Sequence, residues 1–175
     1  MSHASDYLSA TELRFERLLD APVATVWRWL IEPELRARWF MGGSTDLKAG
    51  GALGLTMDHD RLSDESVETP ERYRQFSGQS WSERILRVEP ERLFAFEWNG
   101  GTDGQVTITL ASEGKQTRLT LVHTGISNRE GAVSFAGGWG AHLAVLELRL
   151  RHKPVANFWG LHAAAEANAK AELGM

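Results

Sequence analysis

The sequence predicts an α+β fold, in which a curved antiparallel β-sheet wraps around a long C-terminal α-helix and two short helices follow the first strand. Three observations support this fold class. Short runs of alternating apolar and polar residues, separated by turn residues, recur between residues 50 and 126. A helical pattern interrupted by Pro33 precedes these runs. An apolar helical pattern from Trp139 to His152 follows them.

The composition is globular and excludes several classes of protein. The chain has 175 residues, of which 42% are hydrophobic, so it can bury the core of one domain. Its net charge of −4 and its lack of any Lys/Arg run argue against a nucleic-acid partner. The chain has no cysteine and no signal-peptide pattern, and no apolar run approaches the roughly 20 residues of a membrane span. We therefore expect a cytoplasmic protein with no membrane partner.

The first elements can be placed from their periodicity. Residues 11–21 alternate between apolar and polar side chains, which predicts an opening strand. The segment 21-APVATVWRWLIEPELRARWF-40 then repeats apolar residues at i, i+3, i+4 and i+7, the spacing of one helical face. Pro33 divides this segment, so it is expected to form two short helices that meet in a V.

Five further strands are predicted, with turns at Asn99-Gly100-Gly101 and Glu113-Gly114. They cover residues 50–59, 80–88, 92–99, 105–111 and 117–126. Residues 58–72 between the first two are strongly charged and offer little apolar surface to bury. This segment is expected to be a solvated, mobile loop at the mouth of a cavity.

The final helical patterns raise the question of what lies between helix and sheet. Trp139, Leu143, Leu146 and Leu150 share one face of the predicted helix, and His142 lies beside them. The glycines next to Trp139 permit a tight turn and close backbone approach. A helix that stood away from a curved sheet would leave a cavity. The Ala-rich residues 154–175 predict a helical extension, packed on the body or on a second subunit, which leaves a homodimer open.

Several of these segments resemble the helix-grip superfamily, also called SRPBCC or START-like, and in particular its branch named after the activator of the heat-shock chaperone ATPase. The resemblance includes 21-APVATVWRWLIEPELRARWF-40, 50-GGALGLTM-57, 85-ILRVEPERLFAFEW-98, 117-TRLTLVHTG-125 and 138-GWGAHLAVL-146. It implies a helix-grip domain over residues 11–153, and a function in binding or transforming apolar molecules within a cavity. The charged insertion and the extended tail depart from the family pattern.

The predicted inner faces of the strands and of the long helix converge on one space. The candidate ligand-binding residues are Leu55, Met57, Trp81, Phe94, Phe96, Trp98, Leu121, His123, Trp139, His142 and Leu146. Ring faces with a few imidazole nitrogens suit a flat apolar ligand that carries one oxygen function. The same residues could instead fill a solid core, which periodicity alone does not distinguish from a hollow one.

Three inward histidines, His59, His123 and His142, leave the chemistry open. Each could bond locally or act as a general acid or base, and together they could provide a three-nitrogen metal site. No zinc-protease, phosphate-loop or nucleophile-elbow motif occurs, so we predict a binding protein for a small hydrophobic ligand, without catalytic residues, metal or cofactor. The alternatives are a cyclase- or hydrolase-like enzyme that uses a cavity histidine, and a chaperone-regulating interaction module.

Overall fold

The computed structural model describes residues 6–175 and contains a seven-stranded antiparallel sheet in the order β1-β2-β7-β6-β5-β4-β3. The strands are β1 Tyr7–Leu8, β2 Glu12–Leu19, β3 Ala52–Thr56, β4 Ser80–Glu89, β5 Leu93–Glu97, β6 Gln105–Glu113 and β7 Gln116–Thr124. The helices are α1 Val23–Ile31, α2 Pro33–Arg36, α3 Glu71–Arg74, α4 Arg129–Leu150 and α5 Phe158–Leu173. The predicted α+β helix-grip architecture is confirmed; the two-residue β1 was not expected.

The sheet alternates buried and exposed side chains along its strands, and one β-bulge helps it curve. Along β7, Leu119, Leu121 and His123 are buried, and the residues between them are partly exposed. A register shift between Ile85 and Arg87 interrupts the pairing of β4 with β5. Such a bulge bends a strand and increases its twist, which helps the sheet curve around α4.

Helix α4 begins ten residues earlier than the sequence pattern indicated. Asn128 caps it, because its side-chain oxygen accepts a 2.8 Å hydrogen bond from the Gly131 N–H. The glycines in the first half of α4 weaken the helical signal, which is why the predicted start at Trp139 was wrong. The predicted apolar face is confirmed, since Trp139, Leu143, Leu146 and Leu150 are all buried.

The interior between α4 and the sheet is filled. Phe94, Phe96, Leu121 and Leu146 are each 1% exposed or less. The one small void described near Phe94 and Phe96 measures about 10 Å³, no more than a single water requires. Of the two arrangements that the sequence left open, a filled core is therefore present along this part of the helix, because large aromatic and aliphatic side chains occupy the space.

A buried guanidinium joins the short helices to the sheet. Arg36 is 2% exposed and donates hydrogen bonds to the carbonyls of Met41 at 2.8 Å, Gly43 at 2.9 Å and Gly54 at 3.1 Å. A fourth bond of 2.9 Å reaches Thr45 Oγ1. Burial lowers the pKa of Arg36 to about 10, so the side chain remains charged at neutral pH. Its positive charge is solvated by backbone and hydroxyl oxygens.

The charged segment after β3 is docked on the body, contrary to the solvated loop expected from its composition. A 3₁₀ turn at His59–Leu62 buries Leu62. The carboxylate of Asp64 accepts bonds from Arg149 on α4 and, at 2.6 Å, from the Val155 N–H. Farther along, Arg72 pairs with Glu166 on α5 at 2.6 Å. These polar contacts offset the segment's lack of apolar residues.

Three glycines of α4 serve two different surfaces. A Cβ on Gly137 would lie 3.0 Å from the Cβ of Glu166, and one on Gly140 would lie 2.9 Å from the Cβ of Ala165. These two positions let α5 pack closely on α4, so the extension docks on the body of its own chain. A Cβ on Gly138 would meet no atom within 4 Å.

This difference predicts opposite effects for two adjacent substitutions. Gly138→Ala should stabilise the protein by about 0.5–1 kcal/mol, because alanine favours the helix and has room. Gly137→Ala should be the less stable of the two by about 1–3 kcal/mol, because its methyl group overlaps α5. Urea unfolding of both variants measures this difference; equal stabilities would show that α5 does not pack against Gly137.

Loss of the Arg36 side chain should be far more costly than loss of an exposed arginine. Arg36→Met leaves several buried carbonyls without donors, and we expect a loss of about 3 kcal/mol or more in the free energy of unfolding. The control is Arg28→Met, which removes an exposed i, i+4 pair with Glu32 and should cost less than about 1 kcal/mol. Similar values for the two variants would rule out a central role for Arg36.

Candidate functional site

An aromatic cavity of about 210 Å³ lies at one end of the helix–sheet interface. The first half of α4, the ends of β3 to β5, the segment around α3 and the start of α5 enclose it. Its lining residues are Phe40, Met41, Met57, His59, Tyr73, Phe76, Trp81, Trp98, Ser134, Phe135, Gly138, Trp139, His142 and His162. The cavity is therefore apolar, with histidines as its main polar groups.

A second, larger hollow of about 780 Å³ lies on the surface beside α2 and Arg149. Its charged residues largely satisfy one another, since Arg149 pairs with Asp64 and Arg61 lies 3.6 Å from Asp58. We regard it as a solvated groove and take the aromatic cavity as the candidate site, because only the latter combines apolar walls with unpaired polar atoms.

The structure divides the eleven predicted binding residues into two groups. Those that line the cavity are Met57, Trp81, Trp98, Trp139 and His142. Those that lie in the core, each 1% exposed or less, are Leu55, Phe94, Phe96, Leu121, His123 and Leu146. Alternation along a strand identifies the inward face but not the depth at which a side chain lies. The structure therefore places the second group in the core and not on the wall of this cavity.

Other lining residues were not in the predicted binding set. Phe40 and Met41 follow α2, Tyr73 lies in α3, Phe76 lies just after α3, and His162 comes from α5. The sequence did indicate two of these residues, because Tyr73 and Phe76 are aromatic residues in an otherwise polar stretch. Such residues suggest that the stretch packs against an apolar surface. The wall contributed by α5 had no such signal, since its position depends on tertiary packing.

Ring contacts fix the walls of the cavity. Phe40 lies 5.1 Å from Trp139 and 6.3 Å from Trp98, measured between ring centroids, and Trp98 lies 5.4 Å from Trp139. On the outer side, Tyr73 stacks on Trp159 at 5.0 Å with an angle of 15° between the ring planes. Such contacts hold rigid rings in defined positions, so the cavity is pre-formed.

The tautomer of His142 follows from its hydrogen bond. Its Nδ1 lies 2.7 Å from the carbonyl oxygen of Trp39, which can only accept, so Nδ1 carries the proton. Trp39 is itself anchored, because its Nε1 donates to the carbonyl of Trp29 at 2.9 Å. Burial, followed by the proximity of His59, holds the pKa of His142 well below its usual value. The imidazole is therefore neutral, and Nε2 has a free lone pair.

His59 forms a second imidazole beside the first. Its ring lies 4.9 Å from that of His142 and 5.1 Å from that of Phe158, with both contacts close to T-shaped. Burial and, second, the nearby His162 lower the pKa of His59 to about 4. Its Nδ1 is buried and has no hydrogen-bond partner within residues 6–175. A neutral ring nitrogen without a partner thus belongs to a residue that lines the cavity.

His123 has a structural role. Its Nδ1 accepts a bond of 3.1 Å from Trp139 Nε1, and its Nε2 donates to the carbonyl of Asp103 at 2.7 Å. Both ring nitrogens are occupied, so His123 cannot join His59 and His142 in the three-nitrogen metal site considered above. Among the described residues, no group of three or more His, Cys, Asp or Glu side chains has the geometry to hold a metal ion.

Comparison with known structures supports the fold at high coverage. The protein encoded by gene BPP1335 from Bordetella parapertussis is 37% identical, with a TM-score of 0.82 over 99% of this chain and 91% of its own. Residues 20–151 match the family described as Activator of Hsp90 ATPase homolog 1-like protein. The chain belongs to this family. It is thus a member of the helix-grip SRPBCC superfamily, and the resemblance seen in the sequence is confirmed.

More distant members share the fold. CalU16 from Micromonospora echinospora is 23% identical and has a TM-score of 0.68, with 95% of this chain and 97% of CalU16 covered. DynU16, a protein of the dynemicin biosynthetic locus, is 21% identical with a TM-score of 0.65, and the match covers 86% of this chain and 51% of DynU16. No curated protein sequence matches. None of the helices within residues 6–175 is both long and apolar enough to cross a membrane.

The lowered pKa of His59 predicts that the folded protein loses stability between pH 7 and pH 5, before most carboxylates become protonated. In the unfolded chain His59 should titrate near pH 6.5, whereas in the folded protein it titrates near 4. Its contribution to stability is therefore complete above pH 6.5 and is lost as the pH falls toward 4. Between pH 7 and pH 5, we expect His59→Phe to lose about 2 kcal/mol less stability than the wild type.

Urea unfolding at the two pH values measures this effect. The control is His152→Asn, which removes an exposed histidine and should retain the wild-type loss. The remaining loss in His59→Phe comes from the other buried histidines, among them His162, whose pKa is also lowered by burial. An identical pH dependence for His59→Phe and wild type would contradict the prediction.

Proposed function

We propose that this protein binds a small, uncharged hydrophobic or aromatic molecule in the aromatic cavity. Membership of the family supports a ligand-binding or related role in general terms. The observation that carries the proposal is a pre-formed cavity whose walls are ring faces and whose polar groups include a buried imidazole nitrogen, Nδ1 of His59, without a partner among the described residues. Buried polar atoms without partners are rare in folded proteins and indicate a missing partner.

The size and charge of the cavity limit the ligand. Its volume of about 210 Å³ lies below the roughly 300–1,000 Å³ of drug-sized sites, so one or two fused rings fit. No Asp, Glu, Lys or Arg belongs to the lining within the described part of the chain. A charged ligand would have to lose its hydration without gaining a counter-ion, which favours a neutral molecule.

An enzymatic role for a cavity histidine is the second candidate. Its supporting observation is the fixed orientation of His142, whose protonated Nδ1 leaves Nε2 as a base that faces no protein partner. The same burial that fixes the ring lowers its pKa well below 6.5. A base is most effective when its pKa lies near the operating pH, so this environment favours binding over proton transfer.

Filling the cavity from its open wall provides a direct test. Gly138→Leu directs a side chain into the cavity from a position where a Cβ meets no neighbour. The matched control is Ala163→Leu, which adds the same side chain at an exposed position of α5. Binding of naphthalene-, flavonoid- and polyketide-like compounds can be followed by tryptophan fluorescence, because Trp81, Trp98 and Trp139 line the site.

We expect saturable binding to wild type and to Ala163→Leu, and a loss of at least about tenfold in affinity for Gly138→Leu, whose melting temperature should be no lower than that of wild type because leucine favours the helix over glycine. The steric argument sets this magnitude, since a leucine side chain buried in the cavity removes most of the contact area that drives binding. Unaltered affinity in Gly138→Leu would place the binding site elsewhere. A panel without any saturable signal would count against the proposed function itself.

A further inference from the structure

The cavity contains one polar atom whose hydrogen-bonding role is determined by the fold. A backbone carbonyl cannot donate, so the 2.7 Å contact with Trp39 O places the proton of neutral His142 on Nδ1. Nε2 of the same ring is therefore an acceptor only. Rotating the ring or changing the tautomer would break a buried bond and leave the Trp39 carbonyl unpaired, which is unfavourable.

This acceptor belongs to a residue that lines the cavity. No hydrogen bond from residues 6–175 engages Nε2 of His142. The neighbouring His59 has a second unpaired nitrogen, Nδ1, although its ring is 8% exposed and almost fully surrounded by protein. Two adjacent imidazoles with unused nitrogen atoms, 4.9 Å apart between centroids, mark the polar end of an otherwise apolar cavity.

The lone pair of His142 selects among oxygen functions. An ether or carbonyl oxygen would place one acceptor against another, leaving both desolvated and unpaired. A hydroxyl group donates to Nε2 and still offers its own lone pairs to a proton on His59, which as a neutral imidazole has one N–H. A carboxylate gains nothing, because no cationic side chain lines the cavity among the described residues.

We infer that the ligand is a hydroxylated aromatic molecule, such as a phenol or an enolised ring, whose O–H donates to Nε2 of His142. This inference rests on the proposed function and identifies the ligand class for the same cavity. His142 is then the residue that determines specificity, and His59 is the group that accommodates the second side of the hydroxyl oxygen.

A matched pair of probes tests the donor requirement. 1-Naphthol and 1-methoxynaphthalene share the ring system, but only the naphthol can donate a hydrogen bond. Tryptophan fluorescence titration should show that wild-type protein binds 1-naphthol about tenfold or more tightly than the methyl ether, the ratio expected from one hydrogen bond in a buried site. Equal binding, or tighter binding of the ether, would overturn the inference while leaving the proposed function intact. Failure of both probes to bind would reject the proposed function, and the inference with it.

Two variants and one spectrum assign the effect to Nε2. In His142→Asn, the side-chain amide can still donate to Trp39 O near the Nδ1 position, but no acceptor remains where Nε2 was. This variant should bind both probes with similar affinity, whereas His152→Asn, the same change at an exposed position away from the cavity, should still prefer 1-naphthol. Nitrogen-15 NMR of the wild-type imidazoles should show His142 protonated at Nδ1, with its unprotonated Nε2 resonance shifting when 1-naphthol is added. A ring protonated at Nε2, or a His142→Asn variant that keeps the full preference, would overturn the inference.

Discussion

The buried guanidinium of Arg36 connects the scaffold to the site. By donating to the carbonyls of Met41, Gly43 and Gly54, it fixes the path of the chain between α2 and β3. That path carries Trp39, Phe40 and Met41. Phe40 and Met41 are walls of the cavity, and the Trp39 carbonyl determines the tautomer of His142. One arginine thus positions both the apolar surface and the polar anchor, without itself contacting the ligand space. Within residues 6–175 its partners are carbonyl and hydroxyl oxygens, and several of them hold the guanidinium in place at once.

Helix α4 contacts α5, the cavity and the sheet, and its glycines lie on the faces toward α5 and the cavity. Gly137 and Gly140 face α5 closely enough that a methyl group would overlap it, whereas Gly138 faces the cavity. Leu143, Leu146 and their neighbours in the second half of the helix pack against the sheet. Glycine weakens a helix by about 1 kcal/mol relative to alanine, so three in four residues carry a cost that tertiary packing offsets. The close approach of α5 brings His162 to the cavity wall, and the missing side chain at position 138 keeps the cavity open.

The sequence was sufficient for the architecture and for five of the fourteen residues that line the cavity. Alternation and turn residues located the six longer strands, and Pro33 correctly separated α1 from α2. Periodicity also identified the buried face of α4. It failed to distinguish Phe94 and Phe96, which fill the core, from Trp98, which reaches the cavity two residues farther along. All three share a face of the strand, and their different roles depend on how far α4 extends over the sheet, a tertiary property. The start of α4 was missed for a local reason, since its glycines outweighed the capping signal of Asn128.

The position of the cavity follows from the sizes of the side chains along α4. Where α4 crosses the middle of the sheet, leucine, phenylalanine and valine side chains close the gap to native density. Toward its first half, the helix presents glycine, serine and phenylalanine, and the charged segment with α5 provides the outer wall. That wall is held mainly by polar contacts, Asp64 with Arg149 and Arg72 with Glu166. Each pair has one partner that is about half exposed, so water weakens the pair and the outer wall should open more readily than the sheet. A ligand can therefore enter past this wall without disturbing the core, and the low dielectric inside strengthens any hydrogen bond that it makes with His142.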